Sequence, residues 1–181
     1  VTATKRVDPA ELEKLPCEGP SFDELRAQLD PVVARYPKRA GAMLPVLWIV
    51  QRARAGWLHP RSIREIAAYL EVPQAHVEGV VTFYTMFRDQ PVGRDVVMVC
   101  KTLSCRLRGA QEVMDALEDH FGIEMGGTTK DRRFTIETGE CLGLCDMAPC
   151  MLVGTERFGN LTAETAVKTL DDLAAKGGSG R

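Results

Sequence analysis

Residues 96–105 read Val-Val-Met-Val-Cys-Lys-Thr-Leu-Ser-Cys. An unbroken apolar run from Val96 to Val99 leads straight into Cys100, and Cys105 follows after Lys-Thr-Leu-Ser. Four consecutive apolar positions suit a central strand covered on both faces. A similar arrangement returns downstream. Phe134 to Glu137 alternates apolar and polar, as a half-buried strand does, and Cys141-Leu-Gly-Leu-Cys145 comes soon after it. Each pair of thiols therefore follows a strand. Four thiolates brought together at strand ends can bind a soft metal centre. An iron–sulfur cluster and a structural zinc both meet that description.

Between the two strands, Ala110, Val113, Met114, Leu117 and Phe121 form the stripe of an amphipathic helix that Gly122 ends. Gly126 and Gly127 read as a loop. Met151 to Val153 is a short strand, and Glu156 to Phe158 pairs with it across Gly154. Thr162 caps a last helix that turns Ala166, Val167, Leu170 and Leu173 inward. The order strand, helix, strand, strand, helix resembles a reduced thioredoxin fold.

Upstream, the pattern is helical. Ser21 is an N-cap, and Glu24 completes a capping box. Asp30-Pro31 reads as a second cap with proline at the first helical position. Met43, Val46, Leu47 and Val50 fall on one helical face, with a stop at Gly56. Ser62, with Glu65 three residues on, caps a segment whose Ile63, Ile66, Ala67 and Leu70 repeat that spacing. From Pro73 to Phe87 the chain is apolar around much of its circumference, which fits a bundle core and also docking onto a partner protein. Gln90, Pro91 and Gly93 mark a break. The expected fold class is α+β, with four stretches: a flexible tail over 1–20 with a short helix from Asp8, a small helical bundle over 21–90, an α/β metal-binding domain over 91–176, and a flexible tail over 177–181.

The bulk numbers narrow the function. The chain has 181 residues, of which 45% are hydrophobic, and a net charge of −2. No basic excess exists to neutralise phosphates, so no nucleic-acid partner is expected. No apolar run approaches the ~20 residues that span a bilayer, and no signal peptide is visible. The expected compartment is the cytosol, where paired cysteines more often mean metal or redox chemistry than disulfides.

Spacing separates some of the possibilities. Structural zinc knuckles usually present a Cys-x-x-Cys pair, and here the gaps are four and three residues. The plant-type ferredoxin signature needs a third cysteine where this chain has Arg108. A thioredoxin-type exchanger needs Cys-x-x-Cys, which is absent. A four-iron cluster is not excluded by spacing. Lys101, Arg106 and Arg108 flank the first pair and favour thiolates, or else form a solvated surface. Gly143 permits close backbone approach. Leu103, Leu142, Leu144 and Met147 are placed to shield sulfur from water, or simply to pack. Cys150 opens an apolar strand and reads as a buried small hydrophobe, with a substitute ligand as the alternative. Cys17 reads as an exposed bystander. His59, His76 and His120 are scattered and read as surface or capping residues. No Gly-x-Gly-x-x-Gly follows a strand, and no nucleophile elbow occurs.

Cys-Lys-Thr-Leu-Ser-Cys followed by Gly109-Ala110, then Glu-Cys-Leu-Gly-Leu-Cys-Asp-Met-Ala-Pro, closely resembles the family of the E-type, binuclear-cluster subunit of bacterial respiratory complex I, NADH:quinone oxidoreductase. Tyr36-Pro37, Leu44-Pro45-Val46-Leu47, Gly56-Trp57-Leu58 and Gly79-Val80-Val81-Thr82-Phe83-Tyr84 extend the resemblance over residues 21 to 175, with Val81 where the family often has alanine. The resemblance implies a thioredoxin-like [2Fe–2S] ferredoxin domain with one cluster on Cys100, Cys105, Cys141 and Cys145. It implies an electron carrier without its own substrate site. The partners would be a flavin-bearing subunit holding FMN and NADH and the large iron–sulfur subunit. The complex would sit at the inner face of the plasma membrane, with no insertion of this chain. Similar modules occur in NAD-linked hydrogenases and formate dehydrogenases. The readings from other classes are a zinc-binding interaction module and a peptide-docking adaptor.

Overall fold

In a computed structural model, which describes residues 6–176, the chain divides into two compact units, residues 6–91 and residues 92–176. The expected tail over 177–181 and the first five residues of the N-terminal one lie outside the described residues.

The first unit is helical. It contains α1 (Pro9–Leu12), α2 (Phe22–Val33), α3 (Met43–Ala53), α4 (Pro60–Leu70) and α5 (Gln74–Phe83). Its core joins Leu25, Leu29, Val46, Leu47, Val50, Leu58, Ile66, Leu70 and Val77, all almost wholly buried. Asp8 caps α1 by accepting from the Ala10 amide, and Leu12 is buried. Ser21 and Glu24 form the expected capping box on α2.

Two helix starts differ from the sequence reading. Pro31 lies inside α2, near its end, rather than opening a new helix. A proline there removes one backbone bond close to the point where α2 stops. At α4 the cap is His59, with Pro60 at the first position, and Ser62 is already inside the helix. His59 Nδ1 accepts from the Arg61 amide at 3.0 Å. Ser62 is buried because Arg54 donates to its hydroxyl at 2.7 Å. Arg54 also pairs with Glu65 at 2.5 Å, so the side chain expected in a capping box is an ion-pair partner instead. In α5, Val77 and Val81 are buried, while Phe83 is 76% exposed.

The second unit is a five-stranded sheet flanked by helices. Its strands are β1 (Asp95–Cys100), β2 (Gly127–Thr128), β3 (Phe134–Gly139), β4 (Met151–Val153) and β5 (Glu156–Phe158), in the order β2-β3-β1-β4-β5. The apolar run at 96–99 takes the centre of the sheet, but only one of its faces is fully covered: Val97 and Val99 are buried, whereas Val96 and Met98 on the other face are half-buried. β1 pairs parallel with β3, with Cys100 beside Gly139. It pairs antiparallel with β4, with Val99 beside Met151. β4 and β5 form the expected hairpin. The segment expected as a loop at Gly126-Gly127 contains β2, a two-residue strand too short to leave a periodic signal.

The helices are α6 (Leu103–Leu107), α7 (Ala110–Phe121) and α8 (Ala163–Ala175). Gly122 closes α7 with φ +63°, a left-handed conformation natural to glycine. Thr162 caps α8 by accepting from the Thr165 amide. Val97, Val99, Leu117, Ile136, Met151 and Leu170 fill the core between sheet and helices.

Candidate metal centre

The parallel pairing of β1 and β3 sets the site. Strands that run the same way end at the same edge, so both thiol-bearing segments leave the sheet side by side. Beyond the register pair Cys100 and Gly139, the Lys101 amide donates to the Gly139 carbonyl at 3.0 Å. On the other flank the Cys100 amide donates to the Cys150 carbonyl at 3.0 Å. Cys105 follows in α6, whose five residues bring it back under the strand end.

Cys100, Cys105 and Cys150 are buried, with sulfurs all within 4.8 Å of one another. The Cys105 and Cys150 sulfurs are 3.7 Å apart. Cys141 and Cys145 are exposed and form a second pair at 3.6 Å. Two thiolates on one tetrahedral metal, each at about 2.3 Å, stand roughly 3.8 Å apart, so both contacts have ligand-pair spacing. The second loop touches the first group, because the Leu142 amide donates to the Cys100 sulfur. The four expected ligands therefore form two neighbouring sets rather than one tight quartet, and a fifth thiol joins the inner set.

The environment differs from thiol to thiol. Burial raises the Cys100 pKa, but hydrogen bonds from the Thr102 hydroxyl and amide and the Leu142 amide outweigh it and bring the group down to about 7. A sulfur that accepts this many donors is primed to bind metal as a thiolate. Burial and the neighbouring Cys100 push Cys105 up. Cys145 is raised by its partner Cys141. Burial, then Cys105, pushes Cys150 up to about 12.

Around the sulfurs, Ala110 and Ala148 are fully buried, and Leu142 and Leu144 pack against them. Leu103 does not shield the thiols: it is 73% exposed, and Leu107 is 78% exposed. Lys101 pairs with Glu140 at 3.2 Å, so its charge is shared with the second loop. Arg106 donates to Gln111 rather than to a sulfur. Gly143 takes φ +74° with open space around it. Cys17 belongs to the helical unit and is half-buried rather than exposed, with its sulfur 3.7 Å from the Ser62 hydroxyl. His120 lies 3.1 Å from Asp171 and away from the thiols. Cys150 is the member of the site that spacing did not mark as a neighbour of Cys105. Its one visible signal was a cysteine opening the strand beside Cys100.

A donor set made only of thiols, supported by amide donors and enclosed by small apolar residues, fits a two-iron cluster. The family described as thioredoxin-like [2Fe-2S] ferredoxin matches residues 29–174. The chain is 39% identical over 151 residues to the second E-type subunit of NADH-quinone oxidoreductase from Rhizobium meliloti (strain 1021), covering 83% of this chain and 89% of that one. It is 36% identical over 156 residues to the E-type subunit of NADH-quinone oxidoreductase from Rickettsia bellii (strain RML369-C), covering 84% and 93%. Among solved structures it is similar to the NAD+-reducing [NiFe]-hydrogenase in the air-oxidized state, with a TM-score of 0.65 and 21% identity over 74% of this chain and 23% of that one. That last likeness is one of fold.

Proposed function

The chain belongs to the family of thioredoxin-like [2Fe-2S] ferredoxins, and on that premise we propose that it is the electron-carrying subunit of an NADH-quinone oxidoreductase, with Cys100, Cys105, Cys141 and Cys145 as the ligands of its one cluster. The observation that carries the ligand reading is the Leu142 amide donating to the Cys100 sulfur, which sets the Cys141–Cys145 loop against the inner thiols. When bound, such a cluster takes up and gives back one electron at a time.

The chain's own residues supply the setting. Thr102 and Leu142 direct hydrogen bonds at Cys100 and favour its thiolate. Leu142, Leu144, Ala110 and Ala148 exclude water from the inner sulfurs. Cys141 and Cys145 remain open to solvent, which leaves a short route for an electron at that end. Next to Cys105, the exposed Leu103 and Leu107 offer an apolar surface to a partner.

The partner on this reading is the flavoprotein that holds FMN and NADH, with the large iron–sulfur subunit beside it. No dinucleotide fingerprint follows a strand in this chain, which supports placing the nucleotide elsewhere. Placement at the inner face of the plasma membrane would then come through the complex. Among the described residues no helix is long and apolar enough to cross a membrane.

The test is the full chain, assembled anaerobically with iron and sulfide, reduced with dithionite and read by EPR. A two-iron signal is expected, together with two irons and two acid-labile sulfides per chain. Colourless protein holding zinc, without sulfide, would overturn the proposal. Co-purification of native partners then reports the assembly, and recovery without a flavoprotein would count against the subunit reading.

A further inference from the structure

We propose that the centre has one thiol to spare: Cys150 is a reserve ligand that can take the place of Cys105. This rests on the ligand reading above. A two-iron cluster needs four thiolates, and five thiols gather at this edge of the sheet. The inner set has three of them where two are needed.

Cys150 is held where a ligand belongs. Its sulfur lies 3.7 Å from that of Cys105, close to the roughly 3.8 Å between two thiolates on one tetrahedral metal. It also lies within 4.8 Å of Cys100. Its backbone carbonyl accepts from the Cys100 amide at 3.0 Å, continuing the β1–β4 ladder. At its other side the neighbouring Pro149 carbonyl accepts from the Leu161 amide at 3.1 Å. Cys150 is therefore fixed by the sheet, whereas Cys105 sits on a five-residue helix with exposed leucines on either side. Packing alone asks for a small apolar side chain here, as the buried Ala148 two residues earlier supplies. It does not ask for a sulfur at ligand distance. Among the described residues, the converging group contains thiols only, with no carboxylate or imidazole in it.

The exchange is a simple substitution. Cys150 gives its proton to solvent and binds through its thiolate, Cys105 leaves as a thiolate that takes up a proton from solvent, and no electron is transferred.

The experiment compares four full-length proteins, assembled anaerobically with iron and sulfide: wild type, Cys150→Ala, Cys105→Ala, and the double variant. Iron, acid-labile sulfide, visible absorption and the EPR signal after dithionite are measured, with circular dichroism to follow folding. Both single variants should keep wild-type iron and sulfide, and the double variant should lose most of both. Cys105→Ala falling to the level of the double variant, or the double variant rising to that of Cys105→Ala, overturns the exchange. So does loss of the cluster in Cys150→Ala beside an intact wild type, which would make Cys150 a primary ligand. If Cys105→Ala does not fold, Cys105→Ser is measured with Cys150 present and with Cys150→Ala. A spectrum that shifts when Cys150 is removed supports the exchange, and identical spectra oppose it. A wild type without a two-iron signal removes the ligand reading itself and this inference with it.

Discussion

The Gly93 amide donates to the Thr135 hydroxyl at 2.6 Å, in contact so close that Gly93 lies against the backbone of β3. A Cβ at this position would stand 2.7 Å from the Phe134 carbonyl carbon and 2.9 Å from the Thr135 nitrogen. Backbone atoms of a paired strand cannot step aside. Gly93→Ala should therefore cost about 1–3 kcal/mol, the usual range for forcing extra atoms into a packed site. Denaturant unfolding followed by circular dichroism checks this, and a variant as stable as the parent would show that the approach to β3 relaxes freely.

Tyr69 supplies a pH prediction. Its hydroxyl donates to Asp30 at 2.6 Å, with Arg39 4.7 Å from the ring centre. Burial, then the bond to Asp30, raises the phenol above its ordinary value of 10.0. The fold favours the neutral form, so this contribution is complete below the unfolded value of about 10. It is lost as pH rises through the higher folded-state value. Tyr69→Phe should cost about 1 kcal/mol at neutral pH and make stability less sensitive to pH above ~10. Urea melts across the alkaline range measure the slope, and an unchanged slope would contradict the assignment.

Leu170 of α8 is fully buried in the core with Leu117 of α7. Leu170→Ala should destabilise the sheet-containing unit by about 2–5 kcal/mol, through lost burial and the cavity left behind. Thermal unfolding should show the loss, and an unshifted transition would mean that α8 does not support this core.

Cys141 and Cys17 make a matched pair for metal loading. Cys141 lies 3.6 Å from Cys145, whereas Cys17 contacts Ser62. Cys141→Ala should abolish most iron and sulfide uptake, and Cys17→Ala should leave both at the wild-type level. Colorimetric iron and sulfide assays decide it. Equal loss in both variants would point to general damage instead of a ligand role.

Removing iron with a chelator under native conditions should lower the stability of the sheet-containing unit. Thiolates that bind metal in the folded state tie metal affinity to folding. Differential scanning calorimetry before and after chelation measures the change. Superimposable traces would show that the thiols hold no folding-linked metal.

Local rules explain where sequence reading succeeded. Met43, Val46, Leu47 and Val50 are all buried as their spacing requires, because periodicity records which face meets the core. The capping box at Ser21 and the cap at Thr162 also formed, since each is complete within four residues. Ser62 failed for the opposite reason. Its hydroxyl serves Arg54, a residue from outside its own helix, and no local pattern carries that demand. Pro60 did mark the true start of α4. At the site, both thiol pairs were legible from their positions after strands. The approach of Cys150 to Cys105 was not, because it depends on β4 lying beside β1.

The same-direction pairing of β1 and β3 leaves the site indifferent to the length of chain joining its halves. Length added to the turns that join α7, β2 and β3 is taken up on the crossover, away from the edge where sulfur gathers. A residue inserted near Glu124 would be a matter for a surface turn, whereas one inserted inside β3 would slide Cys141 and Cys145 past their counterparts and reverse which side chains face inward. Tolerance to insertion and intolerance to slippage thus meet within a short stretch of the same segment.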